Sequence, residues 1–297
     1  MSFPWPYHFI SLSEDEKLRR RELLDLRGFY AQWSIILAII AIRIYRALAK
    51  APANSSSASG QRCGPISSWD RPLVSGWIET RRHYLVCGLW LLWLLSLSVW
   101  NSGDDYLHVT KAMGHVALSQ VPLQVLMSPA GYISTSNPAA PSLISLFTSI
   151  SQPVLTPYHR LFGRLVVATL LVGHAALYLL FFVQSSHPAY GSLLAKRVRD
   201  FDVQCGLLAL SSAAFLLLFA RPRGAVPKTR FQAWLPAGSI HERRRLFYSG
   251  HLLLVVVLCV AAYYHVVQAR FYMLQTLGAS MLNGVWSWIM VRRGKRV

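Results

Sequence analysis

Four histidines fall into two pairs. His159 and His174 lie fifteen residues apart, and His251 and His265 lie fourteen apart. Each interval sits in one apolar run, YHRLFGRLVVATLLVGH and GHLLLVVVLCVAAYYH. As α-helix, these intervals span about 22 Å and about 21 Å. The second ring of each pair then returns to within about 60° and about 40° of the direction of the first. Each helix therefore shows two imidazoles on broadly one face, near opposite surfaces of a bilayer. A neutral imidazole is a transition-metal ligand. Facing histidines at two heights on two helices suit bis-histidine ligation of haem iron, twice over. By itself, an intramembrane histidine reads as an interhelical hydrogen bond or a pathway residue. The matched spacing is what favours the metal.

The elements that must position these rings follow from composition. The chain has 297 residues, 54% hydrophobic and only 14% charged, whereas a soluble domain is about 25% charged. Long apolar runs predict an all-α integral membrane protein of about seven spans, each needing about 17 to 25 residues. The spans are expected at 29–49, 84–101, 109–129, 160–183, 203–221, 247–267 and 271–291. The fourth and sixth are separated by one span, so they run in the same direction. His159 then shares a level with His251, and His174 with His265. Between the spans, 50–83 contains a Ser-rich linker, 131–158 is an uncharged Pro-containing loop lying against the membrane, and 222–246 is strongly basic. No signal peptide is evident in MSFPWPYHFISLSEDEKLRRRELL. The Lys/Arg distribution places the C-terminus in the cytosol.

The formal charge of +18 sits at the ends of apolar runs, as in Arg81, Arg82, Arg243 to Arg245 and Arg292 to Arg296. That pattern indicates topogenic flanks and membrane lipid headgroups rather than nucleic acid. Cys63, Cys87, Cys205 and Cys259 form no CxxC pair, which argues against zinc or a disulfide framework. Gly163, Gly173 and Gly250 lie beside the four rings, where they clear space for a flat macrocycle or simply for helix packing. Arg160 and Arg164 are candidates to pair with haem propionates, or act as membrane anchors. His115 reads as an interhelical hydrogen bond, and His187, in SSHPAY, as a solvated loop residue.

These blocks resemble a known family. YHRLFGR followed by a membrane histidine is similar to the HRxxGR element of ferric reductases and NADPH oxidases. GHVALSQVPLQVLMSP, at 114–129, and RRRLFYSGHLLLVVVLCVAAYYH resemble two further helices of that family, in the expected order. LLDLRGFYAQWSIILAIIAI resembles the extra leading helix of fungal ferric-reductase-like proteins. The resemblance implies a ferric-reductase-like domain at 84–292, preceded by an N-terminal segment and linker at 1–83 and followed by a basic tail at 293–297. Six helices would form a di-haem bundle, with one N-terminal helix added. It implies two haem b groups, with His159, His174, His251 and His265 as axial ligands to the iron and no side chain acting as acid, base or nucleophile. Electrons would pass from NADPH through FAD to the two haems, and then to a ferric chelate or dioxygen across the plasma membrane. The first histidine pair is one residue wider than the family spacing. No Gly-rich nucleotide loop occurs up to WSWIMVRRGKRV. FAD and NADPH are therefore expected on a separate cytosolic flavoprotein reductase or on a missing C-terminal region. A truncated or vestigial haem-binding module without turnover, and a haem-free seven-helix transporter or receptor, stand as alternatives.

Overall fold

The computed structural model describes residue 7 and residues 10–49, 68–73, 78–129, 141–219 and 240–294. The first helix, α1, spans Glu14–Ala49 and begins well before the apolar run at 29. A capping box starts it: the Ser13 hydroxyl accepts from Glu16 N at 3.3 Å, and the Glu16 carboxylate accepts from Ser13 N at 2.9 Å. Three acidic residues, Glu14 to Glu16, occupy its positive first turn. Helix α2, Arg81–Val99, is entered through Thr80, whose backbone N–H is taken by His83 Nδ1.

The third expected span is broken in two. Helix α3 runs Tyr106–Ser119 and α4 runs Val121–Met127. Pro122 lies in the first turn of α4, where its missing N–H is tolerated; deeper in a continuous helix it would clash with the preceding turn. The stretch 131–158, expected as a loop, is outside the described residues at 131–140 but contains helix further on. Ser142 caps α5, Leu143–Thr148, and Pro153 opens α6, Gln152–Leu161. Helix α6 continues through a π-helical turn, Phe162–Val167, into α7, Ala168–Gln184. A small hairpin of β1, Ser186–His187, and β2, Gly191–Ser192, follows. Then come α8, Leu193–Arg197, α9, Phe201–Phe219, α10, Ile240–His265, and α11, Val267–Gly294.

Among the described residues, five helices are long and apolar enough to cross a membrane: α1, α2, the continuous 152–184 helix, α9 and α10. Two of the seven expected spans fall outside that set. The third is interrupted at Gln120. The seventh, α11, is about 42 Å long, but Gln275, Thr276 and Asn283 dilute its apolar content. Those polar residues have partners. Asn283 donates to Val125 O and Ser128 O at 3.3 and 3.0 Å and accepts from Leu143 N at 2.9 Å. Gln275 meets Gln32 of α1 at 2.5 Å, and Gln32 also donates to Ser119 O. Buried Gln120 accepts from Trp90 Nε1 at 3.0 Å. Amides that would be costly against lipid are used instead to join helices.

Helix α9 lies along α10, α11 along α4, and α3 between α7 and α1. Gly28 of α1 lies so close to α11 that a Cβ there would collide with the Tyr272 hydroxyl. Helices α7 and α10, which carry His174 and His265, do not pack closely against each other. They meet through side chains.

Candidate functional site

The structure brings His174 and His265 together, edge to face. Their ring centres are 6.3 Å apart, with the planes at 78°. Two imidazoles binding one metal ion from opposite sides, each about 2 Å from it through Nε2, have ring centres about 6 Å apart. Each ring is held from behind. His174 Nδ1 donates to Thr110 O at 2.8 Å, and His265 Nδ1 donates to Asp202 O at 2.7 Å. A carbonyl can only accept, so the neutral ring carries its proton on Nδ1 and keeps the Nε2 lone pair. That is the tautomer a metal-binding histidine needs, set by a backbone carbonyl.

The approach depends on two glycines. Thr110 O lies four residues before Gly114, and Asp202 O lies four residues before Gly206. In a helix the side chain at that later position flanks the carbonyl. A Cβ on Gly114 would sit 2.7 Å from His174 Nδ1, and a Cβ on Gly206 would sit 2.7 Å from His265 Cε1. With hydrogen there instead, each imidazole reaches a carbonyl of a neighbouring helix.

At the second level, His159 Nδ1 donates to Gln124 O at 2.9 Å, and the Gln124 side chain donates back to His159 O at 2.8 Å. Gly163, four residues after His159, makes room for that amide: a Cβ there would meet Gln124 Nε2 at 2.8 Å. Gly163 and Gly173 therefore serve packing, Gly173 against Met113, while a Cβ on Gly250 would meet nothing within 4 Å. His251 lies within electrostatic reach of His159 and packs at 5.6 Å from Phe247. Its Nδ1 is buried without a hydrogen-bond partner.

The fifteen-residue interval between His159 and His174 finds its explanation in the π-helical turn. There Ala168 N–H bonds to Gly163 O, five residues back. A π turn takes about one more residue than an α turn. It absorbs the extra residue, so the interval is equivalent in rotation to the fourteen residues of α between His251 and His265.

Arg164 sits in that turn. Its Nη2 donates to Glu79 Oε1 at 2.7 Å, and Glu79 is fully buried. A carboxylate of the chain thus already faces the guanidinium singled out for a propionate. Arg160, half-buried, offers its carbonyl to Arg164 Nε at 3.4 Å. His115 makes an interhelical hydrogen bond to the Tyr272 hydroxyl at 2.8 Å, with Asp25 at 3.4 Å. His187 lies in the hairpin, its Nδ1 accepting from Ala189 N and its ring 5.3 Å from Tyr190.

The donor set therefore fits haem iron at the His174–His265 level: two imidazoles whose Nδ1 is engaged by a carbonyl, a matching separation, and supporting helices held apart. At the other level one ring is fully oriented. Gly114, Gly206, Gln124 and Glu79 are the contributors that spacing arguments passed over. The i, i+4 relation of Gly114 and Gly206 to the accepting carbonyls is a signal readable only once the partner helix is known.

A family model described as ferric reductase like transmembrane component matches residues 113–262, about half the chain. The match contains His159, His174 and His251, both Gly114 and Gly206, and ends three residues before His265. No curated protein matches the chain, and no solved structure does.

Proposed function

The chain belongs to the ferric reductase-like transmembrane family, and from that premise we propose that it is a b-type cytochrome carrying electrons across the membrane. Haem iron, when bound, supplies a one-electron couple whose potential follows its axial ligands and their hydrogen bonds. The chain supplies the ligands and what orients them. His174 and His265 hold one centre, and His159 and His251 hold the second. Thr110, Asp202 and Gln124 fix the rings through their carbonyls. The surrounding apolar side chains keep water out.

With haem bound there, the His159–His251 level would be the side served by a cytosolic flavin, carried by a partner or by a further region of the protein. The His174–His265 level, with haem bound, would be the side that serves the acceptor, a ferric chelate. The membrane is the plasma membrane, with the C-terminal end of α11 in the cytosol. Arg81, Arg82, Arg292 and Arg293 lie at the ends of α2 and α11 that share the His159 level, in keeping with a cytosolic surface there.

The observation that carries the proposal is the 6.3 Å approach of His174 and His265, with both rings in the Nδ1–H tautomer. The test is a reduced-minus-oxidised absorption spectrum of the purified full chain, with haem quantified against protein. About two b-type haems per chain are expected. A folded, colourless preparation from haem-replete cells would refute it.

A further inference from the structure

A second polar site lies on the far side of α3 from His174, where α1 meets the turn between α2 and α3. Its centre is Arg27, which is fully buried. One nitrogen, Nη2, donates to Trp100 O, the carbonyl at the end of α2. The other two, Nε and Nη1, are buried without a partner. His108, on the first turns of α3, is 2% exposed, and its Nε2 is also buried without a partner. The Arg27 charge acts on both His108 and His115, so the two orphaned groups share one neighbourhood.

A buried guanidinium needs an opposite charge, because an uncompensated ion in a low-dielectric interior costs several kcal/mol. Among the described residues no carboxylate pairs with it; the acidic-type group that acts on it is the Tyr7 phenol. Asp105 is taken by Arg20 at 2.8 Å and by the N–H groups of Leu107 and His108. Asp25 faces His115. Glu79 pairs with Arg164 at the other level. Of the 12 acidic residues in the sequence, only Glu242 has a side chain outside the description. It belongs to the first turn of α10, at the His251 end of that helix. The segments outside the description carry no Asp or Glu.

We infer that the Arg27–His108 junction binds a phosphate group, free or borne by a lipid. Unpaired buried nitrogens on two packed helices suit a polyatomic oxyanion, and guanidinium is the side chain whose donors match phosphate oxygens. The bound anion neutralises Arg27, satisfies His108 and ties α1 to the α2–α3 turn. It does so without touching the histidine levels.

The test uses the full chain, purified in detergent and exchanged into chloride buffer. Its melting midpoint is titrated with inorganic phosphate in one arm and with short-chain phosphatidylglycerol in the other, and bound phosphorus is counted. A saturable rise in one arm is expected, and the responding arm names the source. Arg27→Gln weakens the half-saturating concentration by about tenfold, as for loss of a charge-assisted contact, with Arg27→Lys in between. Should Arg27→Gln not fold, His108→Asn keeps the test open, because it must also raise the half-saturating concentration. No saturable rise in either arm would overturn the inference. So would an identical response of wild type and variants, or loss of one haem absorbance in Arg27→Gln with the phosphate response unchanged. A wild type that binds no haem but still responds to phosphate would sink the cytochrome proposal and leave this one standing.

Discussion

The two histidine levels are built to different standards. At the His174–His265 level both rings are oriented from behind by helix carbonyls, each admitted by a glycine, and the rings already meet edge to face across 6.3 Å. At the His159–His251 level only His159 is so held, by a reciprocal pair with Gln124, while His251 Nδ1 has no partner. Preorganised ligands lose less freedom when a metal arrives. The first level is set by the polypeptide; the second depends more on what it binds.

The contrast can be broken most directly at the glycines. Gly114→Val or Gly206→Val should remove the His174–His265 centre and leave the other, so that haem per protein falls to about half. Gly250→Ala, with open space around it, should leave both. Equal losses in all three, measured by absorption spectra, would erase the distinction.

The next largest effect concerns the buried ion pair beneath the His159 level. Arg164→Met leaves Glu79 buried and unpaired, and should cost about 3–5 kcal/mol of stability. The double change Glu79→Gln with Arg164→Met should recover most of it in thermal melts. Gln124→Leu removes one hydrogen bond to a carbonyl, worth about 1 kcal/mol. The ring's own bond is to the Gln124 backbone and survives the change, so the potential of the His159 centre should stay close to that of wild type in a redox titration.

A smaller effect is expected in the loop beside the His265 anchor. The Lys196 hydrogen bond, with Arg197 nearby, holds the Asp200 carboxyl below the usual carboxylate range. A carboxylate with a depressed folded pKa adds stability above its unfolded value and loses it as pH falls through the folded one. Wild type should therefore lose melting temperature below about pH 4 in a way that Asp200→Asn does not. The smallest effect tests the π turn: deleting Leu165 should give a continuous α-helix that retains both centres, whereas inserting one residue there should cost one of them.

Much of the site was legible because helix geometry turns spacing into direction. Fourteen or fifteen residues of apolar helix fix both the height and the face of a ring, and His174 and His265 meet as that arithmetic expects. The π turn was not legible, because FGRLVV has no composition that separates it from α; only the need to keep both rings in register selects it. The early start of α1 was written in Ser13 and Glu16, a pattern hidden by attention to apolar runs. The break at Gln120 followed from Pro122, but the carbonyl that Gln124 lends to His159 is free because α4 ends at Met127, where Ser128 N bonds to Val125 O instead, and its use requires knowing which helices meet. The glycine cradles and the Glu79–Arg164 pair depend on contacts between residues far apart in sequence, which periodicity within one helix cannot express.

The embrace between α1 and α11 has a consequence for how the protein is made. Gln32 emerges from the ribosome 243 residues ahead of Gln275. At translation rates of about 5–20 residues per second, that delay is about 10 to 50 s. During it α1 resides in the bilayer with Gln32 bonded to Ser119 O but not yet to Gln275, and with the notch at Gly28 not yet filled by Tyr272. Helix α1 is thus made well before it is seated, and its insertion is a step the cell's membrane-assembly machinery has to hold open until α11 arrives.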